Sequence, residues 1–269
     1  MISNTEFKRK RKMNIRAGTF IVAVGLIAFG LEHVIFNEFV TGRVPILTEP
    51  FAGKEIWIYI SAALVALGGI SILSGFKTSY YFLFLALLIL ALAIAPYFAI
   101  LLRAEVYYGV ELTLFGKALA LFGGFLVVAA LYFPADNNSN LSNLANTLAR
   151  AGSFCFALYL VIAGIQHFIF AEFVSSLVPS WVPGNIYWVY LTGIALIAGG
   201  VGLVVKRTRY IAGNLVGIMI FIWFLILHLP RAIAADPSKN EWIAVVEALT
   251  FSGFSFIIAG RKENKYEGE

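Results

Sequence analysis

The stretch YYFLFLALLILALAIAPYFAILL, Tyr80–Leu102, decides the fold. It is apolar throughout, with no polar residue at alternate positions. It is also long enough to cross a bilayer as a helix, for which about 20 residues suffice. A membrane-spanning barrel strand would alternate and would be about half that length. Seven further runs of the same kind flank it, near Ile15–Phe36, Ile56–Leu73, Leu112–Phe133, Gly152–Phe170, Ile186–Val205, Ile211–Leu229 and Trp242–Ala259. Of the 269 residues, 60% are hydrophobic and 13% are charged. An ordinary soluble domain carries about twice that share of charge, so a soluble enzyme is excluded. The first run is too long for a cleaved signal peptide, and no small-x-small site follows it. The one cysteine, Cys155, lies in an apolar run and has no partner for an internal disulfide, so it reads as an inert buried thiol.

The net charge of +5 reads as topology once its carriers are sorted. With the N-terminus placed in the cytoplasm, Lys8, Arg9, Lys10, Arg11, Lys12, Arg16, Lys77, Arg150, Lys206, Arg207, Arg209, Arg261, Lys262 and Lys265 fall inside. Only Arg43, Lys54, Arg103, Arg231 and Lys239 fall outside, and Lys117 lies within a span. This bias puts both termini on the cytoplasmic side. The basic excess then attracts anionic lipid, and nucleic acid is not an expected partner.

The chain also repeats itself. Leu31–Pro45 aligns with Ile165–Pro179, with eight of 15 positions identical, among them His33 with His167 and Glu38 with Glu172. Further on, Trp57 and Tyr59 match Trp188 and Tyr190, Gly68-Gly69 matches Gly199-Gly200, Pro96 matches Pro230, and Glu111 matches Glu241. Four spans is an even number, so the two copies cross in the same direction, with an expected symmetry axis along the membrane normal. The expected fold is an all-α membrane protein of eight transmembrane helices, arranged as two repeated four-helix bundles. Its units are 1–133, a cytoplasmic linker 134–150, and 151–269. Leu141–Leu148 is expected as a short amphipathic piece lying on the cytoplasmic surface.

The pattern Gly164-x-x-His167-Phe168, Phe173-Val174, Val178-Pro179, Trp188-Val189-Tyr190 and Thr192-Gly193 resembles the DoxX-like membrane proteins. So does His228-Leu229-Pro230-Arg231, followed by Asn240-Glu241-Trp242 and Glu247-Ala248. The likeness covers Ser153–Gly260 well and Gly18–Leu131 more loosely. Ile94 stands where His228 does in the second copy, and the first copy has no counterpart of Trp242. The resemblance implies a four-helix membrane unit, here duplicated. In some members that unit is linked to quinone-dependent sulfur oxidation or other redox complexes.

Charged side chains within spans are costly and face bundle interiors. Apart from Arg16 at the cytoplasmic edge, they fall at one depth near the outer face. In the second copy Gln166, His167, Trp188, His228, Arg231, Glu241 and Glu247 are expected to surround one outward-opening, ligand-binding pocket. His228 and Arg231 are three apart and share a helix side. Glu241 and Glu247 differ by roughly 120° around theirs, so Glu241 joins only as a lip residue folding over. In the first copy Glu32 replaces Gln166 and Lys117 replaces Glu247. A structural Glu32–Lys117 ion pair with His33 beside it is expected, since a buried pair is tolerated where lone charges are not.

Several readings of these residues stay open. The histidines suit interhelical hydrogen bonding, donation to a quinone carbonyl, proton relay, or a two-His–carboxylate metal set of His167, His228 and Glu247. No helix carries a paired His-x-x-x-His or Glu-x-x-His signature, however. Arg231 suits either capping of helix carbonyls or anion binding. Trp57, Trp188 and Trp242 suit interfacial anchoring more than substrate stacking. Glu38 and Glu172 suit a surface role. No Walker, Gly-x-Ser-x-Gly or His-Glu-x-x-His motif is present, so covalent catalysis has no support. The leading expectation is a bacterial inner-membrane subunit or accessory, partnered with a redox protein, that binds a lipophilic ligand such as quinone. The alternatives are a small transporter or proton-linked carrier, and a structural membrane partner. Midplane positions such as Ala86–Leu92 and Ile218–Phe221 are apolar, which counts against transport.

Overall fold

A computed structural model describes residues 3–39, 52–76, 78–103, 109–133, 139–235 and 239–261. Val44-Pro45 and the basic residues Arg43, Lys77, Lys262 and Lys265 lie outside the described residues. Eight helices are long and apolar enough to cross a membrane, and the chain is a multi-pass membrane protein. They are α1 Asn4–Phe36, α2 Lys54–Ser74, α3 Thr78–Leu101, α4 Val110–Leu131, α5 Ser139–Ile169, α7 Asn185–Val204, α8 Arg209–Ala234 and α9 Lys239–Gly260. A short helix, α6, spans Ala171–Leu177. Among the described residues there is no strand.

Two helices outrun their apolar segments. At 33 residues, α1 is about 50 Å long at 1.5 Å per residue, well beyond a ~30 Å hydrocarbon core. The surplus is the basic segment, begun by a Ser3 cap whose Oγ accepts from the Glu6 N–H at 3.2 Å. Likewise α5 starts at Ser139, so Leu141–Leu148 belongs to the fifth span and is not a separate surface piece. The sequence from Ser139 to Ala151 has neither Gly nor Pro, so nothing interrupts the helix before the apolar run. The expected linker shrinks to residues 134–138, outside the described residues.

A second difference concerns proline. The seventh span was expected to end at Leu229, but α8 continues through Pro230 to Ala234. A proline removes the N–H that would bond four residues back and crowds that carbonyl. The helix widens instead: Phe224–His228 forms a π turn in which the Leu229 N–H bonds the Phe224 carbonyl, five residues back. Before Pro96 the same device appears at Leu90–Ile94, where the Ala95 N–H bonds the Leu90 carbonyl. Such turns recur at functional positions, and His228 sits on one of them.

Spans consecutive in the chain pack antiparallel, as do α1 and α9. α1 lies against α2 and α9, α5 against α7 and α4, α3 against α4, and α8 against α9. The first helix of each half therefore packs chiefly on the last helix of the other half. The body is one interlocked ring of eight helices, not two self-contained four-helix bundles. α4 and α9 touch each other across it and are the two most buried spans.

Between helices in lipid, close packing replaces the hydrophobic drive, and two seams show it. A Cβ on Gly123 would lie 2.5 Å from the Gly152 carbonyl oxygen, and one on Gly152 would lie 2.4 Å from that of Gly123. The matching seam joins Gly18 and Gly253, at 2.7 and 2.9 Å. Between the seams Phe82, Phe125, Phe156, Phe251 and Phe254 form a buried edge-to-face cluster with ring centroids 5.4–6.2 Å apart.

At the end holding the N-terminus, Arg209 is buried and donates to the carbonyls of Leu203 (3.0 Å) and Val204 (3.4 Å). It thereby satisfies carbonyls that the end of α7 leaves without helical partners.

Candidate functional site

At the opposite end the helices of the second half part around a cavity of about 500 Å³. Gln166, His167, Trp188, His228, Arg231, Glu241 and Glu247, the seven residues expected to meet there, all line it. Residues of α6, among them Phe173 and Val174, form part of its wall.

The polar groups are arranged in tiers. At the rim Arg231 on α8 donates through Nη2 to Glu241 Oε1 at the start of α9. Arg231 thus ties the two helices together rather than capping α8. The pair also supplies the fold-over that Glu241 needs to reach the cavity. Six residues further along α9, about 9 Å deeper, Glu247 meets the Lys117 ammonium at 2.8 Å. The Glu247 side chain is 4% exposed and that of Lys117 26%. On the α5 side the Gln166 amide donates to the Thr113 hydroxyl at 2.9 Å. His167 Nδ1 lies 2.7 Å from the Ala163 carbonyl oxygen. A carbonyl can only accept, so Nδ1 carries the proton and Nε2 keeps a lone pair. The Trp188 indole N–H is taken by the Pro183 carbonyl at 3.1 Å, so the ring frames the cavity and meets Trp223 edge-on at 6.3 Å. The floor is apolar, formed by Leu160, Leu196, Met219, Ile220 and Phe251.

Lys117 and Thr113 are among the polar lining residues that sequence reasoning did not place here, as are Thr192 and Asn240. The first two come from α4, in the first half, which forms a wall of this cavity. Lys117 was expected in a separate core with Glu32. It lines the second-half cavity, and its 2.8 Å ion pair is with Glu247. Glu32 and His33 are buried on α1, each 6% exposed. The clue was available in the alignment, where Lys117 and Glu247 occupy equivalent positions with opposite charge.

Among the described residues, two cations, Lys117 and Arg231, and two anions, Glu241 and Glu247, line the cavity and balance. As for a metal, His167, His228 and Glu247 do not form a cluster: among the described residues no three His, Cys, Asp or Glu side chains are grouped to hold an ion. The rim pair is partly exposed and should contribute little. Arg231→Gln is expected to change the unfolding free energy in detergent by less than about 1 kcal/mol. A loss several times larger would mean that the rim holds the fold together.

Residues 156–250 match the model of a domain of unknown function, DUF8561. No curated protein and no solved structure matches the chain. The matched stretch contains the seven expected cavity residues but neither Thr113 nor Lys117.

Proposed function

We propose that the cavity of the second half binds one net-neutral, amphipathic small molecule of quinone type, and that the chain serves as a membrane subunit or accessory of a redox system. The observation that carries this reading is a cavity in which polar groups stand over an apolar floor. Its volume lies within the range of about 300–1,000 Å³ typical of small-molecule sites. Among the described residues its formal charges are paired, Lys117 with Glu247 and Arg231 with Glu241, so an ionic ligand would have to break a pair to bind. A neutral ring with carbonyl or hydroxyl groups would not. The His167 Nε2 lone pair suits a quinol hydroxyl, and His228 and the Lys117 ammonium suit a quinone carbonyl. Trp188 and Trp223 frame a planar ring.

The same reading takes the chain as a tandem, DoxX-like duplication in a bacterial inner membrane, with both termini in the cytoplasm and the cavity opening outward. Support comes from the matched contacts of aligned positions: the two glycine seams, the two π turns, and the bonds from His33 to Phe29 and from His167 to Ala163. α4 and α9 are parallel neighbours in register, since Lys117 meets Glu247 and Gly124 meets Phe254, both 130 positions on. That geometry fits a two-fold axis between them. A transport path would have to continue beneath the cavity. There the Phe156–Phe251–Phe254 cluster is tightly packed, which favours a binding role.

The test is mass spectrometry of small molecules extracted after purification in mild detergent, together with binding of a short-chain ubiquinone followed by tryptophan fluorescence. A quinone should copurify. His228→Ala should weaken binding by about tenfold, the equivalent of one hydrogen bond of about 1.4 kcal/mol. A protein that purifies empty, with binding indifferent to His228→Ala, would overturn the reading in favour of a structural partner.

A further inference from the structure

We infer that the first half contains a second ligand site, one that takes hydrocarbon alone: the acyl chain of a bilayer phospholipid, entering between α2 and α3. The site is a cavity of about 140 Å³ enclosed by α1, α2, α3 and α4. It is the positional counterpart of the larger cavity. Under the alignment that pairs His33 with His167, its Leu26, Phe39, Ser61 and Leu121 stand where Leu160, Phe173, Thr192 and Phe251 stand in the second half.

The two cavities differ in chemistry. Phe29 takes the place of Ala163, Ile94 that of His228, and Tyr97 that of Arg231. Lys117, from the same half, lines the other cavity. His33 and Ser61 are the polar residues among those lining the small cavity, and His33 Nδ1 is held by the Phe29 carbonyl at 2.8 Å. A polar headgroup would find little to replace its hydration, whereas a hydrocarbon would lose nothing. Apolar cavities of about 150 Å³ lined by Leu, Ile and Phe stay dry and accept benzene or xenon.

The route in is lateral. α2 and α3 touch only sparsely. The cavity residues Ser61, Leu64 and Val65 on α2, and Leu88, Ile89 and Leu92 on α3, are each half-buried, as residues along an open seam between the two helices would be. Ser61 and Val65 lie seven and 11 residues past Lys54, where α2 begins. At 1.5 Å per residue this is about 10–16 Å along the span, a depth that lipid tails occupy and headgroups do not. The π turn at Leu90–Ile94 runs along the same seam.

The full-length protein is reconstituted in phosphatidylethanolamine–phosphatidylglycerol vesicles doped with a phosphatidylcholine that carries a diazirine midway along its acyl chain. After illumination, adducts are mapped by mass spectrometry. Adducts should be several-fold more abundant on Ser61–Val65 and Leu88–Leu92 than on Leu67 and Leu87, which are exposed on the same helices. Filling the cavity by Val65→Phe, or by Leu88→Trp should the first variant not fold, should lower the seam to the level of Leu67 and Leu87. Uniform labelling, or a seam signal that survives a folded filling variant, overturns the site. Loss of the signal to an excess of unlabelled long-chain quinone overturns the acyl assignment. His228→Ala should leave the pattern unchanged, so this outcome is separate from that for the larger cavity.

Discussion

Lys117→Met should destabilise the protein by about 3–5 kcal/mol, the usual cost of removing one partner from a buried pair. Methionine keeps most of the lysine stem's length and removes only the charge. The Glu247 carboxylate, 4% exposed, then lacks the ammonium now 2.8 Å away. The same change at a surface pair would cost less than about 1 kcal/mol, so the magnitude reports how buried the site is. Two double variants separate the pair from other effects. Lys117→Met with Glu247→Leu removes both charges and should regain most of the loss, because apolar replacements of buried pairs are often neutral or stabilising. Lys117→Glu with Glu247→Lys exchanges the charges between α4 and α9 and should also recover. The two positions are equivalent under the alignment, and their helices run parallel. The readout is the denaturant midpoint in detergent, followed through tryptophan fluorescence. A single variant as stable as the parent, or a charge exchange no better than Lys117→Met alone, would sink the idea that this pair joins the halves.

That pair also marks where reading the sequence stopped. Spans are legible because lipid demands long runs with internally satisfied backbones, and Tyr80–Leu102 meets that demand unaided. The depth of the polar residues follows from counting along helices, and it was enough to gather the seven cavity residues. The identity of the neighbours does not follow. Whether α4 closes on α1 or on α5 depends on small-residue seams, and one seam reads much like another when only one helix is in view. Gly123 and Gly152 bring α4 against α5 in space, and Lys117 lines the cavity of the other half, 2.8 Å from Glu247. The missed helix ends have a local cause. A hydropathy window stops where apolar residues stop, but the helix does not. Ser3-x-x-Glu6 has the pattern of a capping box, and its Ser3 Oγ to Glu6 N–H bond is made. It marks the true start of α1, with a Glu6–Lys10 pair at 3.0 Å one turn on. Pro230 likewise cut the expected α8 short at its other end, because a π turn lets the helix pass a proline that would otherwise end or kink it.

The seams themselves yield the second large effect. Gly123→Ala should be strongly destabilising although alanine is the better helix former. In a helix interior the exchange alone gains about 0.5–1 kcal/mol. At Gly123 the new methyl would lie 2.5 Å from the Gly152 carbonyl oxygen and 2.9 Å from the Phe156 nitrogen. Both are backbone atoms of α5 and cannot rotate aside. The helices must separate, loosening the packing of Phe156 against Phe251 and Phe254 as well as the wall that carries Thr113 and Lys117. A net loss of about 2–3 kcal/mol is expected, at the upper end for overpacking. Gly116, two turns earlier on the same helix, is the control. There an added methyl meets Tyr159 Cδ2 at 3.2 Å, a ring edge that can shift. Gly116→Ala should therefore be close to neutral, and the difference between the two variants isolates backbone contact from helix propensity. Both are compared by unfolding midpoint and by the fraction recovered as a monodisperse species in detergent. Equal behaviour of the two variants would mean that α4 and α5 do not depend on close approach at Gly123.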